Sequence, residues 1–149
     1  MISTDINYED VQGTILRGYR VDFARHFILG IVDAKATGLL LQDLIQGANG
    51  LPKITTAQRT DDKPDLFLNV SFTCTGLALM GVADSDLKTF DTSFQSGAAS
   101  ESVANTVGDI NESAPVHWIG DTGNNDKVHL LVSLWVRDSQ TLLNDTTTA

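Results

Sequence analysis

The sequence predicts an α+β domain. Three apolar, β-branched runs read as strands, leucine-bearing segments between them have helical spacing, and Gly- and Pro-rich turns punctuate the chain. The first run, Arg25-His26-Phe27-Ile28-Leu29-Gly30-Ile31-Val32, has the composition of a buried strand. Asp33 follows as a helix N-cap. Residues 35–45 then bring Leu39, Leu40, Leu41, Leu44 and Ile45 toward one helical face, which predicts an amphipathic helix. Gly47-Ala48-Asn49-Gly50 and Pro52 end it.

Lys53-Ile54-Thr55-Thr56-Ala57-Gln58-Arg59 has strand character, and Asp61-Asp62-Lys63-Pro64-Asp65 is a polar turn. Leu66-Phe67-Leu68-Asn69-Val70-Ser71-Phe72 then alternates, with Leu66, Leu68, Val70 and Phe72 on one face. A short helix over residues 75–80 is anchored by Leu77, Leu79 and Met80. Residues 84–125 are polar and rich in turns, with helical stretches expected at 86–90 and 100–106. Lys127-Val128-His129-Leu130-Leu131-Val132-Ser133-Leu134-Trp135-Val136 is a long strand, and Asp138 is a cap for a final helix starting at Ser139. The order β-α-β-β-α-β is the ferredoxin-like pattern, an antiparallel sheet with helices on one face. The 149 residues suit a single domain, 1–149, without an internal repeat.

Composition narrows the function classes. Ten basic against nineteen acidic residues give a net charge of −9, which repels phosphate backbones and argues against nucleic-acid binding. Arg17, Arg20 and Arg25 are spread along one segment with Asp22 among them and form no basic patch. No apolar run reaches the length of a membrane-spanning helix. The first residues lack the basic start and apolar core of a signal peptide, so a cytoplasmic location is expected. The single cysteine, Cys74, excludes an internal disulfide and a Cys-rich metal site, and reads as a buried structural thiol. The sequons at Asn69, Asn111 and Asn144 carry little meaning, the first lying inside a strand.

Several segments resemble one known family. Asp10-Val11-Gln12-Gly13-Thr14-Ile15-Leu16-Arg17-Gly18 is similar to the opening motif of dye-decolorizing-type heme peroxidases. Leu68 to Val82, with Thr73-Cys74-Thr75-Gly76-Leu77 at its centre, resembles their strand followed by T-x-x-G-L-x-x-L-G-[IV]. Phe94-Gln95-Ser96-Gly97, then Val107-Gly108-Asp109 with Glu112-Ser113-Ala114-Pro115 and Trp118, and finally Val128-His129-Leu130-Leu131 follow in the family's order. The resemblance implies two ferredoxin-like domains facing each other, with heme held mainly by the second, and this chain matches the first. It also implies a distal G-x-x-D-G motif shortly after the last strand. That pattern does not occur here; Gly120-Asp121-Thr122-Gly123 comes closest, fails on spacing and precedes the strand. The proximal heme His and distal Arg belong to the second half. No catalytic residue carries over, and no cofactor is expected in this chain alone.

The remaining candidates read as structural. His26 and His129 stand at the starts of strands, where they could be neighbours across the sheet, and they read as ordinary sheet-edge residues rather than heme ligands. His117 beside Trp118 reads as a loop packing pair. Asp121-Thr122-Gly123-Asn124-Asn125-Asp126 lacks the spacing of a calcium loop and reads as a turn into the last strand, so no metal site is expected. Gly13 and Gly18 read as packing positions. No G-x-S-x-G, Walker or G-x-G-x-x-G motif occurs.

Three functions follow, in order of support. The first is the amino-terminal half of a dye-decolorizing-type peroxidase, inactive alone and completed by a second chain or domain carrying the heme-binding half. The second is a heme-free structural or interaction module whose homo-oligomer buries the face of Leu66, Leu68, Val70 and Phe72, or its alternate. The third is a small barrel-type enzyme with His26 or His129 as base, which no constellation of residues supports.

Overall fold

Asp33 starts the longest helix as expected: its Oδ1 accepts the Lys35 and Ala36 amides at 2.8 and 3.1 Å. The computed structural model describes residues 6–61, 64–137 and 140–148. Along the chain come α1 (Gly13–Leu16), β1 (Phe23–Leu29), α2 (Ala34–Gln46), β2 (Leu66–Phe72), α3 (Cys74–Leu79), α4 (Asp84–Leu87), α5 (Thr92–Ser96), α6 (Glu101–Val107), β3 (Leu130–Val136) and α7 (Gln140–Thr148). Asp138 and Ser139, assigned to the start of the last helix, lie outside the described residues, as do Asp62 and Lys63 of the polar turn. No helix among the described residues is long and apolar enough to cross a membrane.

The sheet order is β1-β3-β2. At one end of β3 the His129 amide donates to Leu29 (2.9 Å) while the His129 carbonyl accepts from Thr73 (3.1 Å). At the other end Arg137 pairs with Asp22 and with Asp65. The last strand is therefore antiparallel to both neighbours, and β1 and β2 run parallel on either side of it. This is the split β-α-β arrangement of an α+β sheet, so the expected fold class is borne out.

The assignment of elements within that class shifts. The strand expected over residues 53–59 is reduced to an isolated bridge between Gln12 and Thr56. Its backbone is satisfied on two sides without a regular ladder. Thr55 donates to the Leu68 carbonyl (2.8 Å), but the Leu68 amide returns to the Thr55 hydroxyl (3.0 Å), while the Thr55 carbonyl accepts from Gly13 (2.9 Å). A side chain thus takes a place the ladder would have filled. The strand inserted between β1 and β2 is instead β3, reached through the long helical stretch of α3 to α6.

The described residues fall into two compact units. One is drawn from Met1–His26, Leu39–Val70 and Val132–Ala149, the other from Phe27–Gly38 and Ser71–Leu131. The first has its core at Leu44, Leu68, Val70, Leu134, Val136 and Leu143. The expected leucine face of α2 is only partly used. Leu44 is buried, whereas Leu39 and Ile45 are 57% and 59% exposed, because the apolar positions spread further round the helix than one stripe.

In the second unit the Thr73 hydroxyl accepts the Gly76 amide (3.0 Å), capping α3, and donates to the Val128 carbonyl (2.8 Å). The helices α4 and α6 take up the stretches expected at 86–90 and 100–106, α4 starting two and ending three residues earlier and α6 lying one residue later, and α5 is additional. Asn125 clamps the loop after α5, donating to the Ser96 carbonyl (2.9 Å) and accepting from the Ala99 amide (3.1 Å). Trp118 Nε1 donates to the Ser113 carbonyl (2.9 Å), closing the turn that holds His117.

Candidate functional site

Strand geometry turns alternate side chains to opposite faces, so the positions between the core residues form a second face of the sheet. In the first unit that face carries Phe67 and Asn69 of β2, Ser133 and Trp135 of β3, and His26 of β1. Tyr19, in the segment between α1 and β1, lies across it. Its ring stacks on Phe67 (centroids 4.2 Å apart, 25° between planes) and meets Trp135 edge-on at 5.3 Å. Trp135 in turn meets His26 edge-on at 5.6 Å. Such pairs contribute about 0.5–1.5 kcal/mol each beyond the area they bury. His26 Nδ1 lies 2.8 Å from the Ser133 hydroxyl. Ser133 and Asn69 are buried, Phe67 and Trp135 are half-buried, and His26 is exposed.

The amino-terminal segment is held to the sheet edge by a side chain rather than a strand. Gln12 Nε2 donates to the Val70 carbonyl and Gln12 Oε1 accepts the Val70 amide, both at 2.8 Å. Asn69 Nδ2 donates to the same Gln12 oxygen at 3.1 Å. Arg17 donates to the Ala57 carbonyl. A Cβ at Gly13 would stand 2.4 Å from the Tyr19 hydroxyl, so glycine is what lets the tyrosine lie flat on Phe67.

The Tyr19 hydroxyl and Asn69 Oδ1 are buried, and neither has a hydrogen-bond partner among the described residues. Burial raises the Tyr19 pKa above the usual 10.0. Asn69 and Arg17 oppose the rise from positions near enough to favour the phenolate, though not aligned to bond the hydroxyl. The unfolded chain then releases this proton at lower pH than the folded one, so the contribution is complete below pH 10 and is lost as pH climbs above it. Tyr19→Phe, which removes an unsatisfied hydroxyl, is expected to be neutral or stabilising by about 1 kcal/mol at pH 7. Its advantage over the wild type should widen above pH 10. Denaturant midpoints at pH 7 and 10.5 check this, and an equal gap at both pH values would refute the burial of an ionisable phenol.

The histidines take separate partners. His26 meets Ser133 and Trp135, whereas His129 is buried with its Nδ1 accepting the Ile31 amide at 2.8 Å. The cross-sheet pairing that the two strand positions allowed gives way to these contacts, because each histidine falls opposite other residues in the register. His117 is exposed in a 3-10 turn. Cys74, expected to be buried, is half-buried at the start of α3. The turn at residues 121–126 holds an exposed ion pair, Asp121–Lys127 at 2.7 Å, and Lys127 depresses the Asp121 pKa. Arg25 donates to Asn144 (3.1 Å), so Arg17 and Arg25 are both engaged within the fold. The sequon residue Asn69 is buried and bonded to Gln12, leaving no room for a glycan.

A serine beside an imidazole invites comparison with a nucleophile and base. Among the described residues no carboxylate bonds the His26 ring to orient it, and Ser133 is buried. The pair lacks the third group that such chemistry needs. The face is an aromatic surface with a polar floor, suited to packing against another surface. Of the residues that build it, Tyr19, Ser133 and Trp135 were not singled out by sequence reasoning, while Gln12 stood out only within the family's opening motif and Asn69 only as a sequon. The one available signal was the alternate register of β2 and β3. The Leu66, Leu68, Val70 and Phe72 face expected to pair between copies is largely core instead, with Leu68 and Val70 buried.

Comparison with known proteins agrees with this architecture. Residues 10–148 match the family model described as the DyP dimeric alpha+beta barrel domain. A dye-decolorizing peroxidase of Mycetinis scorodonius is 31% identical over 121 residues, covering 78% of this chain and 21% of that protein. Another, from Mycena epipterygia, is 36% identical over 107 residues, covering 70% and 18%. A fungal DyP-type peroxidase structure from Auricularia auricula-judae superposes with a TM-score of 0.76 at 21% identity, covering 98% of this chain and 30% of that one. A DyP-type peroxidase of Anabaena sp. gives 0.74 at 21% identity, covering 95% and 31%. The chain spans about a fifth of the length of the curated relatives.

Proposed function

The chain belongs to the DyP dimeric alpha+beta barrel domain family, and from that premise we propose that it is the amino-terminal half of a DyP-type heme peroxidase. In this reading it supplies barrel scaffold, while residues outside these 149 bind heme and carry out the peroxide chemistry. The observation that carries the proposal is the aromatic face of Phe67, Tyr19, Trp135 and His26, which is half-open and has no nucleophile, base or acid set. A barrel half needs a second surface against such a face.

The histidines fit heme ligation poorly. An axial ligand stands in an apolar slot wide enough for a porphyrin. His26 lies on an open sheet face with Nδ1 at Ser133, and His117 is exposed on a turn. His129 is buried among close-packed backbone: a Cβ at Gly76 would come within 2.0 Å of its carbonyl oxygen. Heme ligation therefore falls to the partner half, and a homo-oligomer is the competing arrangement of the same face.

Hemin titrated into the purified chain is expected to give no sharp stoichiometric Soret band. Peroxidase turnover should not exceed that of free hemin. A one-to-one Soret transition would overturn the proposal. Sedimentation separates the two partner arrangements, since a stable monomer at micromolar concentration counts against self-assembly.

A further inference from the structure

The sheet has two edges, β1 and β2, and they differ in chemistry. An edge strand presents unpaired amides and carbonyls that a strand of another molecule can use. Leu66–Phe72 is a hazardous segment to leave at an edge: seven residues, LFLNVSF, without a charge, proline or glycine, in a chain whose net charge is −9. Two copies of it paired antiparallel about Asn69 would place Leu66 opposite Phe72, Phe67 opposite Ser71 and Leu68 opposite Val70. Apolar residues then meet apolar residues or serine, and no like charges oppose pairing.

In the folded chain this edge is occupied. Thr55 takes both backbone groups of Leu68, and the Gln12 side chain takes both backbone groups of Val70. The carboxamide of Gln12 has one donor and one acceptor side by side, as a neighbouring peptide unit would. Further bonds keep it in place: Gly13 donates to Thr55 (2.9 Å), and Ala57 donates to Val11 (2.7 Å).

We infer that Gln12 is an edge guard, and that β2 is a latent strand-pairing surface for a second copy of this chain which the amino-terminal segment keeps shut. The guard is a single side chain on a segment whose own helix, α1, is four residues long, so its hold on the edge depends on a small set of bonds. Displacing that segment exposes Val70 and removes the Gly13 and Val11 bonds that anchor residues 55–57, so that Thr55 releases Leu68 and the edge opens to the β2 of another copy.

The test uses the whole 149-residue chain with Gln12→Ala, and with Gln12→Ala combined with Ser71→Lys, which puts a charge on the exposed side of β2. Mass by light scattering, thioflavin T fluorescence and amide exchange at Val70 are read together. Gln12→Ala is expected to form dimers or larger thioflavin-positive species at micromolar concentration, and to raise Val70 exchange about tenfold when diluted to monomer, where no second copy protects that amide again. The added lysine should return the mass to that of the wild type while Val70 exchange stays fast. Rapid Val70 exchange with unchanged mass would overturn the latent surface. Unchanged exchange would overturn the guard. Loss of the circular dichroism of the fold that Ser71→Lys does not rescue would show association through unfolding, and would overturn both.

Discussion

Gly76→Ala is expected to cost about 3 kcal/mol or more, the upper end of what overpacking produces. A Cβ at this position would stand 2.0 Å from the His129 carbonyl oxygen and 2.8 Å from its carbonyl carbon, both backbone atoms. That oxygen cannot retreat freely, because it accepts the Thr73 amide at 3.1 Å. Gly76 also donates to the Thr73 hydroxyl, so the cap of α3 and the entry to β3 would be disturbed together. For a chain of this size the loss lowers Tm by roughly 6–12 °C, taking about 2–4 °C per kcal/mol. Gly18→Ala is the control: nothing lies within 4 Å of its added Cβ, and the change should stay within about 0.5 kcal/mol. Thermal melts of the two variants check the contrast. Equal Tm values would mean that α3 and the His129 backbone separate at little cost.

Leu68→Ala is the second large effect, expected at about 2–5 kcal/mol from lost burial and the cavity left behind. Leu68 is 2% exposed, among the largest fully buried side chains, and sits at the centre of β2. Its backbone bonds to Thr55 survive the truncation, so the cost is one of packing. Leu39→Ala, at a residue 57% exposed, should stay within about 0.5 kcal/mol although the same atoms are removed. Urea midpoints with unchanged m-values would confirm the difference, and a cost for Leu39 equal to that for Leu68 would contradict the burial described.

The leucines of α2 show how far sequence reading reaches. Periodicity located the helix to within a residue at each end, and Asp33 announced its start. Which leucines would be buried depended on surfaces that the helix meets far along the chain, and only Leu44 proved fully covered. The segment around Thr55 shows the opposite error. Its composition is that of a strand, but its backbone is shared between Gly13 on one side and Leu68 on the other, so no ladder forms.

The candidate face was harder to read than the fold, for a physical reason. Its residues are ordinary types, and their meaning lies in pairings such as Gln12 with Val70, 58 positions apart, and His26 with Ser133, 107 apart. No local pattern encodes a contact of that span. The family motifs marked Gln12, Gly13 and Gly76 as positions without giving the reason for them. Those reasons are a side-chain amide standing in for a strand, a tyrosine lying over a glycine, and a helix start pressed against a carbonyl.

By itself the sequence determined the α+β class and the positions of β2 and α2, because strand alternation and helical period are local properties of the chain. The tertiary structure alone decided that β3 enters between β1 and β2, that residues 53–59 form no strand, and that the edge of β2 is closed by Gln12 while Trp135 and Tyr19 form an open face. Those outcomes depend on which distant backbone groups and rings come within reach of one another, and hydrogen bonds and ring contacts form only at that range.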